Sequence, residues 1–231
     1  MAKYPGLIYA VSTVVDGNMA LKWGDKNEVW RNREKFLDKN SISVKDCVFT
    51  SLVHGVEIKI VGSHDKEKIL EADGFITLDK QVAIWITTGD CLPVVVYDSV
   101  RCALALVHLS WQGVDKGLTI KAIQKMVEMG SNPANLGVKI GPGARKESYI
   151  FDGPIAQEND PKWQPFLEKL GNGRTAIDLV GFIKKQLVDC GVEKIEDCGI
   201  DTAKGKNYFS HYRAVRTGES EGRFATVVMM V

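Results

Sequence analysis

The sequence predicts an α/β fold, a single domain in which a mixed β-sheet is flanked by helices. Three observations predict it. Apolar runs of strand length recur, most plainly Val82-Ala-Ile-Trp-Ile-Thr-Thr, residues 93–97 and Cys102-Ala-Leu-Ala-Leu-Val. Two longer segments, 113–129 and 176–189, instead repeat apolar residues at helical spacing. The two kinds of element follow one another without strict alternation, which favours a mixed sheet over a Rossmann order.

The first strand lies within Gly6 to Val15, a β-branched stretch that runs into the turn pair Asp16-Gly17. That stretch follows a lysine and has the length of a signal-peptide core, but its β-branched content and the turn favour a strand, and secretion is not expected. Asn27 to Lys39 reads as a helix with Val29, Trp30, Phe36 and Leu37 on one face. Strands are then expected at 47–53, 56–61, 74–77, 82–87, 93–97 and 102–108. Leu118, Ala122, Ile123 and Met126 share a face of the helix over 113–129, and a strand at 137–140 enters the loop Gly141-Pro142-Gly143. Val180, Ile183 and Leu187 mark the helix over 176–189, which Cys190-Gly191 stops, and 223–231 forms a closing strand. No repeat, low-complexity tract or linker divides the chain, so one domain over 1–231 is expected.

Composition narrows the function. With 231 residues and 45% apolar content the chain can bury a substantial core. Its 30 basic and 29 acidic residues nearly cancel, so the basic excess of a nucleic-acid binder is missing and a small neutral or anionic partner fits better. No apolar stretch approaches the ~18 residues of a membrane span. The five cysteines, at 47, 91, 102, 190 and 198, form no C-x-x-C pair. Reduced thiols in a cytoplasmic protein suit them best. Nothing in the sequence fixes an oligomeric state.

Three polar residues each follow an apolar run: His54, Cys91 and His108. Ligands of open α/β sheets bind beyond the carboxyl ends of strands. Two imidazoles and a thiolate converging there would hold a zinc ion and leave its fourth position open, as catalytic zinc sites do. Their spacing alone matches no short metal motif, and a single His or Cys beside a strand is more often part of the core. Asp90, next to Cys91, is either an acid/base group or a turn cap.

The motifs Leu-Val-His-Gly (52–55), Ala-Asp-Gly-Phe-Ile-Thr (72–77), Gly-Asp-Cys-Leu-Pro-Val (89–94), His-Leu-Ser-Trp-Gln-Gly (108–113) and Ile-Gly-Pro-Gly (140–143) come in a telling order. With Asn32-Arg33, Ser148-Tyr149, Cys198, Phe209-Ser210 and Gly222-Arg223-Phe-Ala, they resemble the laccase-domain family, also called the polyphenol-oxidase or purine nucleoside phosphorylase-like family. The similarity covers nearly the whole chain. It implies a laccase-domain, cysteine-hydrolase-like fold and one zinc on His54, Cys91 and His108. It also implies turnover of purine nucleosides: phosphorolysis of adenosine, inosine, guanosine or methylthioadenosine, and deamination of adenosine.

Deamination on zinc needs a carboxylate that is not a ligand, and Asp73 and Asp90 lie inside the matching motifs. Each could equally hold a turn. Phosphorolysis needs an anion site, for which Arg145, Lys146, Arg213 and Arg223 are the candidates. The family commonly has arginine where this chain has Gln112, a residue that hydrogen-bonds but brings no charge. Leu52 and the run Ser210-His-Tyr-Arg213 also depart from the family pattern. These departures bear on substrate choice and on phosphorylase activity itself.

Other chemistries remain open at this stage. Copper suits the same three donors, although a multicopper centre would need more imidazoles than His54, His64, His108 and His211. Cys91 and His108 would also make a metal-free hydrolase dyad. Some family members are described as peptidoglycan editing factors, which implies a cell-wall housekeeping role with weak or no nucleoside activity.

Overall fold

Full burial of both faces of a strand requires a layer on each side, and the central strands here are buried on both. In a computed structural model, which describes residues 6–231, they form two mixed sheets packed face to face with helices outside. Residues 1–5 of the expected domain lie outside the described residues.

One sheet has five strands: β1 (Leu7–Val11), β2 (Cys47–Ser51), β4 (Ile69–Glu71), β6 (Ala83–Thr88) and β14 (Phe224–Met230), in the order β1-β14-β6-β2-β4. The other has six: β3 (Ile58–Ile60), β5 (Gly74–Thr77), β7 (Leu92–Asp98), β8 (Ala103–Leu109), β9 (Gly137–Ile140) and β13 (Lys194–Asp197), in the order β13-β9-β7-β8-β5-β3. The two-residue period of the pleat separates their faces. Val95, Tyr97, Leu104 and Leu106 meet Ile84, Ile86 and Val228 between the sheets. Val94, Val96, Ala105 and Val107 point the other way, onto α3 (Leu118–Glu128) and α4 (Leu179–Asp189). Trp85, Val227 and Met229 cover the remaining face together with Phe36 and Leu37 of α1 (Lys26–Lys39).

The expected α/β domain with mixed pairing is therefore present, divided between two large sheets. A small third sheet joins β10 (Ile150–Asp152), β11 (Leu167–Gly171) and β12 (Arg174–Ile177). The single helix expected over 113–129 is two helices, α2 (Trp111–Asp115) and α3, because Gly117 between them takes a left-handed φ of 84°. The helix expected from 176 starts at Leu179, where Asp178 caps it by accepting from Gly181 N, and residues 176–177 end β12 instead. The last helix, α5 (His211–Thr217), is capped by Ser210.

Three connections cross from the five-stranded to the six-stranded sheet, from β2 to β3, β4 to β5 and β6 to β7. Strands β2, β4 and β6 are parallel, so all three crossings lie at one end of the sandwich. They carry His54, Asp73 and Asp90-Cys91.

Candidate functional site

Backbone geometry at the crossings is unusual for residues with side chains. His54 has φ 56° and Asp90 φ 95°, both left-handed. Such conformations cost of order 1–3 kcal/mol and are kept where the surroundings enforce them. Asp73 enforces the first. Its fully buried carboxylate accepts from Gly55 N at 2.8 Å and Glu57 N at 3.2 Å through Oδ2. Its carbonyl accepts from His108 N at 2.7 Å. Asp73 thereby ties the loop of His54 to the strand of His108.

The second is enforced by three segments. Asp90 accepts from Thr202 Oγ1 at 2.8 Å and from Tyr212 N, in the first turn of α5, at 2.7 Å. Its carbonyl accepts from Ala144 N at 2.9 Å. A Cβ on Gly89 before it would stand 2.7 Å from Arg223 Cδ, so a larger residue there would push the Arg223 side chain aside.

Beyond these crossings opens a cleft of about 990 Å³. His54, Asp90, Cys91, His108, Gln112 and Arg223 line it. The rings of His54 and His108 stand edge to face with centroids 5.3 Å apart. His108 is buried, and its Nδ1 has no hydrogen-bond partner. Burial, followed by the neighbouring His54 and Arg223, pushes its pKa down to about 3, so the ring is neutral. Burial and then Asp90 push the Cys91 thiol up to about 12, with Arg223 pulling the other way. No hydrogen bond joins Cys91 to His108 among the described residues, so a thiol–imidazole dyad is not preformed. Nor are any three His, Cys, Asp or Glu side chains among the described residues already gathered closely enough to hold an ion.

The other expected residues fall elsewhere. The Asp73 carboxylate faces backbone and is not part of the cleft wall. Arg145 is buried beside β13, donating through Nη2 to Gly141 O at 3.0 Å and Asp197 Oδ1 at 2.9 Å. Lys146 pairs with Glu168 at 2.7 Å in the small sheet. Arg213 uses its fork on Glu219 and on the carbonyls of Thr202, Gly205 and Tyr208. Of the four expected cations only Arg223 lines the cleft, its guanidinium 4.8 Å from the Trp23 ring centroid.

Sequence reasoning missed the aromatic lining, which includes Trp23, Trp111, Tyr149, Phe151 and Tyr212. It also missed Arg216, stacked 3.5 Å from the Tyr212 ring centroid, and Arg33 as a wall residue, held by two bonds to Met19 O. Isolated aromatic residues carry no periodic signal; Arg33, Trp111, Tyr149 and Tyr212 lie inside the motifs singled out in the sequence, but nothing there marked them as cleft wall.

A family model described as multi-copper polyphenol oxidoreductase laccase matches residues 10–231. The chain belongs to this family. Its relatives carry a different activity in their names. The chain is 27% identical over 206 residues to a purine nucleoside phosphorylase of Mycobacterium tuberculosis, covering 89% of this chain and 81% of that one. It is 26% identical over 230 residues to purine nucleoside phosphorylase YlmD of Bacillus subtilis, covering 92% and 81%. Among solved structures, YlmD from Geobacillus stearothermophilus superposes with a TM-score of 0.90 at 21% identity, covering 100% of this chain and 94% of that one. Hypothetical protein YfiH of Bacillus licheniformis gives 0.87 at 22% identity, covering 99% and 94%. The family's fold, expected from the ordered motifs, is the fold observed. No helix among the described residues is long and apolar enough to cross a membrane.

Proposed function

We propose that this member of the family is a zinc-dependent purine nucleoside phosphorylase of the cytoplasm, acting on a purine nucleoside and phosphate. The observation that carries this reading is the cleft itself, where Arg223 and a wall of aromatic rings face the same space as His54, Cys91 and His108. The relatives' names supply the substrate class.

The donor set fits zinc. His108 is a neutral imidazole with a buried, unpartnered ring nitrogen, His54 stands beside it, and Cys91 adds a soft donor on the same wall. These three would hold the ion, with the exposed His54 the one free to turn toward it. Bound zinc supplies a Lewis acid and a water of lowered pKa. Copper suits the same donors, so metal content belongs in the test.

The chain's own residues supply the rest. Trp23, Tyr149 and Tyr212 offer faces for a purine, and Gln112, at the start of α2, offers both a donor and an acceptor to its edge or to ribose. Arg223, on the cleft wall with its Nη1 bonded to Glu221 and Gly222, would bring phosphate a positive charge. Deamination asks for a carboxylate that reaches the base, and both oxygens of Asp90 are already bonded while Asp73, although its Oδ1 has no partner, is buried outside the cleft wall. Phosphorolysis therefore leads, with adenosine deamination secondary.

The test is chromatography of adenosine, inosine, guanosine and methylthioadenosine incubated with zinc-loaded protein, with and without phosphate, beside Cys91→Ala. Free base and ribose 1-phosphate formed only with phosphate, and lost in the variant, support the reading. No turnover of any of the four by protein shown to carry zinc overturns it.

A further inference from the structure

The cleft holds a third imidazole that the ligand set does not use. His211 opens α5 and lines the cavity, with 54% of its side chain exposed. Its Nδ1 lies 2.5 Å from Glu221 Oε1. The other oxygen of Glu221 accepts from Arg223 Nη1 at 2.7 Å. Arg223 thus holds the carboxylate, and the carboxylate holds the ring. A carboxylate on Nδ1 requires the proton there, so Nε2 is the nitrogen left to exchange a proton with a ligand. Nε2 has no hydrogen-bond partner among the described residues. Of the other acidic groups nearby, Asp90 has both oxygens bonded, to Thr202 and Tyr212, and Asp73 is buried outside the cleft wall, its Oδ2 bonded to Gly55 and Glu57 and its Oδ1 without a partner.

We propose that His211 is the catalytic acid of this cleft, giving the proton on Nε2 to N7 of the purine as the glycosidic bond breaks, with Glu221 as its positioning residue. The inference rests on the phosphorolysis reading. In that reaction a phosphate oxygen forms a bond to C1′ while the C1′–N9 bond breaks, and the bonding pair moves into the purine ring. The proton from His211 neutralises that charge. Hydrogen phosphate gives up one proton on becoming ribose 1-phosphate, and that proton restores His211 through solvent. Atoms and charge balance with no further reactant.

N7-methylated nucleosides separate this role from a structural one, because their base is already cationic and departs without being protonated. The experiment takes whichever of adenosine, inosine and guanosine the zinc-loaded wild type cleaves fastest, together with its N7-methyl counterpart. Wild type, His211→Gln and Glu221→Gln are compared on both. General acids contribute about 10²–10⁴-fold. His211→Gln is therefore expected to lose at least ~100-fold in kcat on the natural nucleoside and less than ~10-fold on the methylated one. Glu221→Gln should show the same selectivity with a smaller loss. Added imidazole should restore part of the activity of His211→Ala on the natural nucleoside only. Equal losses on the two substrates, or no loss on either, overturn the role of His211 and leave the phosphorolysis reading standing. A wild type that cleaves no nucleoside with phosphate overturns both.

Discussion

Replacing Asp90 distinguishes a residue that builds the cleft from one that moves protons in it. Its carboxylate accepts from Thr202 Oγ1 at 2.8 Å and Tyr212 N at 2.7 Å, and the group is buried. Hydrogen bonds to charged groups contribute roughly 1.5–3 kcal/mol each. Asp90→Ala loses both and leaves a side chain that tolerates φ 95° poorly. The expected destabilisation is about 3–5 kcal/mol. At a urea slope of about 2–3 kcal/mol/M, the unfolding midpoint falls by about 1–2.5 M. Asp90→Asn is different. Its amide oxygen can accept from Tyr212 N while its NH₂ donates to Thr202 Oγ1, and asparagine tolerates the left-handed region. That variant should lose about 1 kcal/mol, read from the same urea curves, and keep kcat within about fivefold.

The paired measurements can refute this reasoning. If Asp90→Asn unfolds like wild type yet loses 100-fold or more in kcat, Asp90 carries a proton and the positioning argument fails. If Asp90→Ala is as stable as wild type, the two hydrogen bonds do not anchor α5.

Arg223→Gln should raise the KM for phosphate by about 10–100-fold in phosphate titrations, the loss of one charge-assisted contact, and zinc content by elemental analysis should not change. Asp197→Ala should destabilise by about 3 kcal/mol in urea, because it strips the main partner from Arg145, whose Nε and Nη1 are already buried without partners. The same pair sets a pH window. Burial raises the Asp197 carboxyl, but Gly199 N–H, Lys184 and Arg145 outweigh it and hold the group below the usual carboxylate range. A depressed folded pKa gives stability that is present above the unfolded value of about 3.9 and lost as pH falls through the folded one. The stability gap between wild type and Asp197→Ala should stay level from neutrality to about pH 5 and close below about pH 4. Gly117→Ala should cost about 1–2 kcal/mol and lower Tm by a few degrees by calorimetry, since φ 84° is unfavourable for alanine even though nothing lies within 4 Å of the added carbon.

The parts of the fold that were legible are those whose residues answer to one layer at a time. Strands β6, β7 and β8 are apolar on both faces, so their existence followed from composition, and their division between two sheets did not. The small sheet was missed although Asn172-Gly173, with φ 51° and 71°, forms the kind of two-residue turn that marks a hairpin. Its flanking strand β11 is mostly exposed and reads Leu-Glu-Lys-Leu-Gly, which has no apolar face to detect. Strand β13, Lys-Ile-Glu-Asp, is hidden for the same reason at a sheet edge. In the site, His54, Cys91 and His108 were visible because they end apolar runs. The cations were not separable, because Arg145, Lys146 and Arg213 are claimed by groups that only tertiary structure brings near: Asp197, Glu168 and a set of loop carbonyls.

That contrast follows from where the cleft is built. His54, Asp73 and Asp90-Cys91 occupy the three connections that leave one sheet and enter the other, where the backbone lacks strand partners and must be satisfied by side chains. Asp73 and Asp90 do this, and in doing it they hold the backbone at His54 and Cys91 in place on the wall. The Asp90 clamp reaches further, because Tyr212 N belongs to the first turn of α5 and His211 is its neighbour. The anchor of the Cys91 loop is therefore also the anchor of the helix that presents His211. A change at Asp90 should disturb both at once, whereas a change at Glu221 should release the His211 ring and Arg223 and leave the Cys91 loop in place.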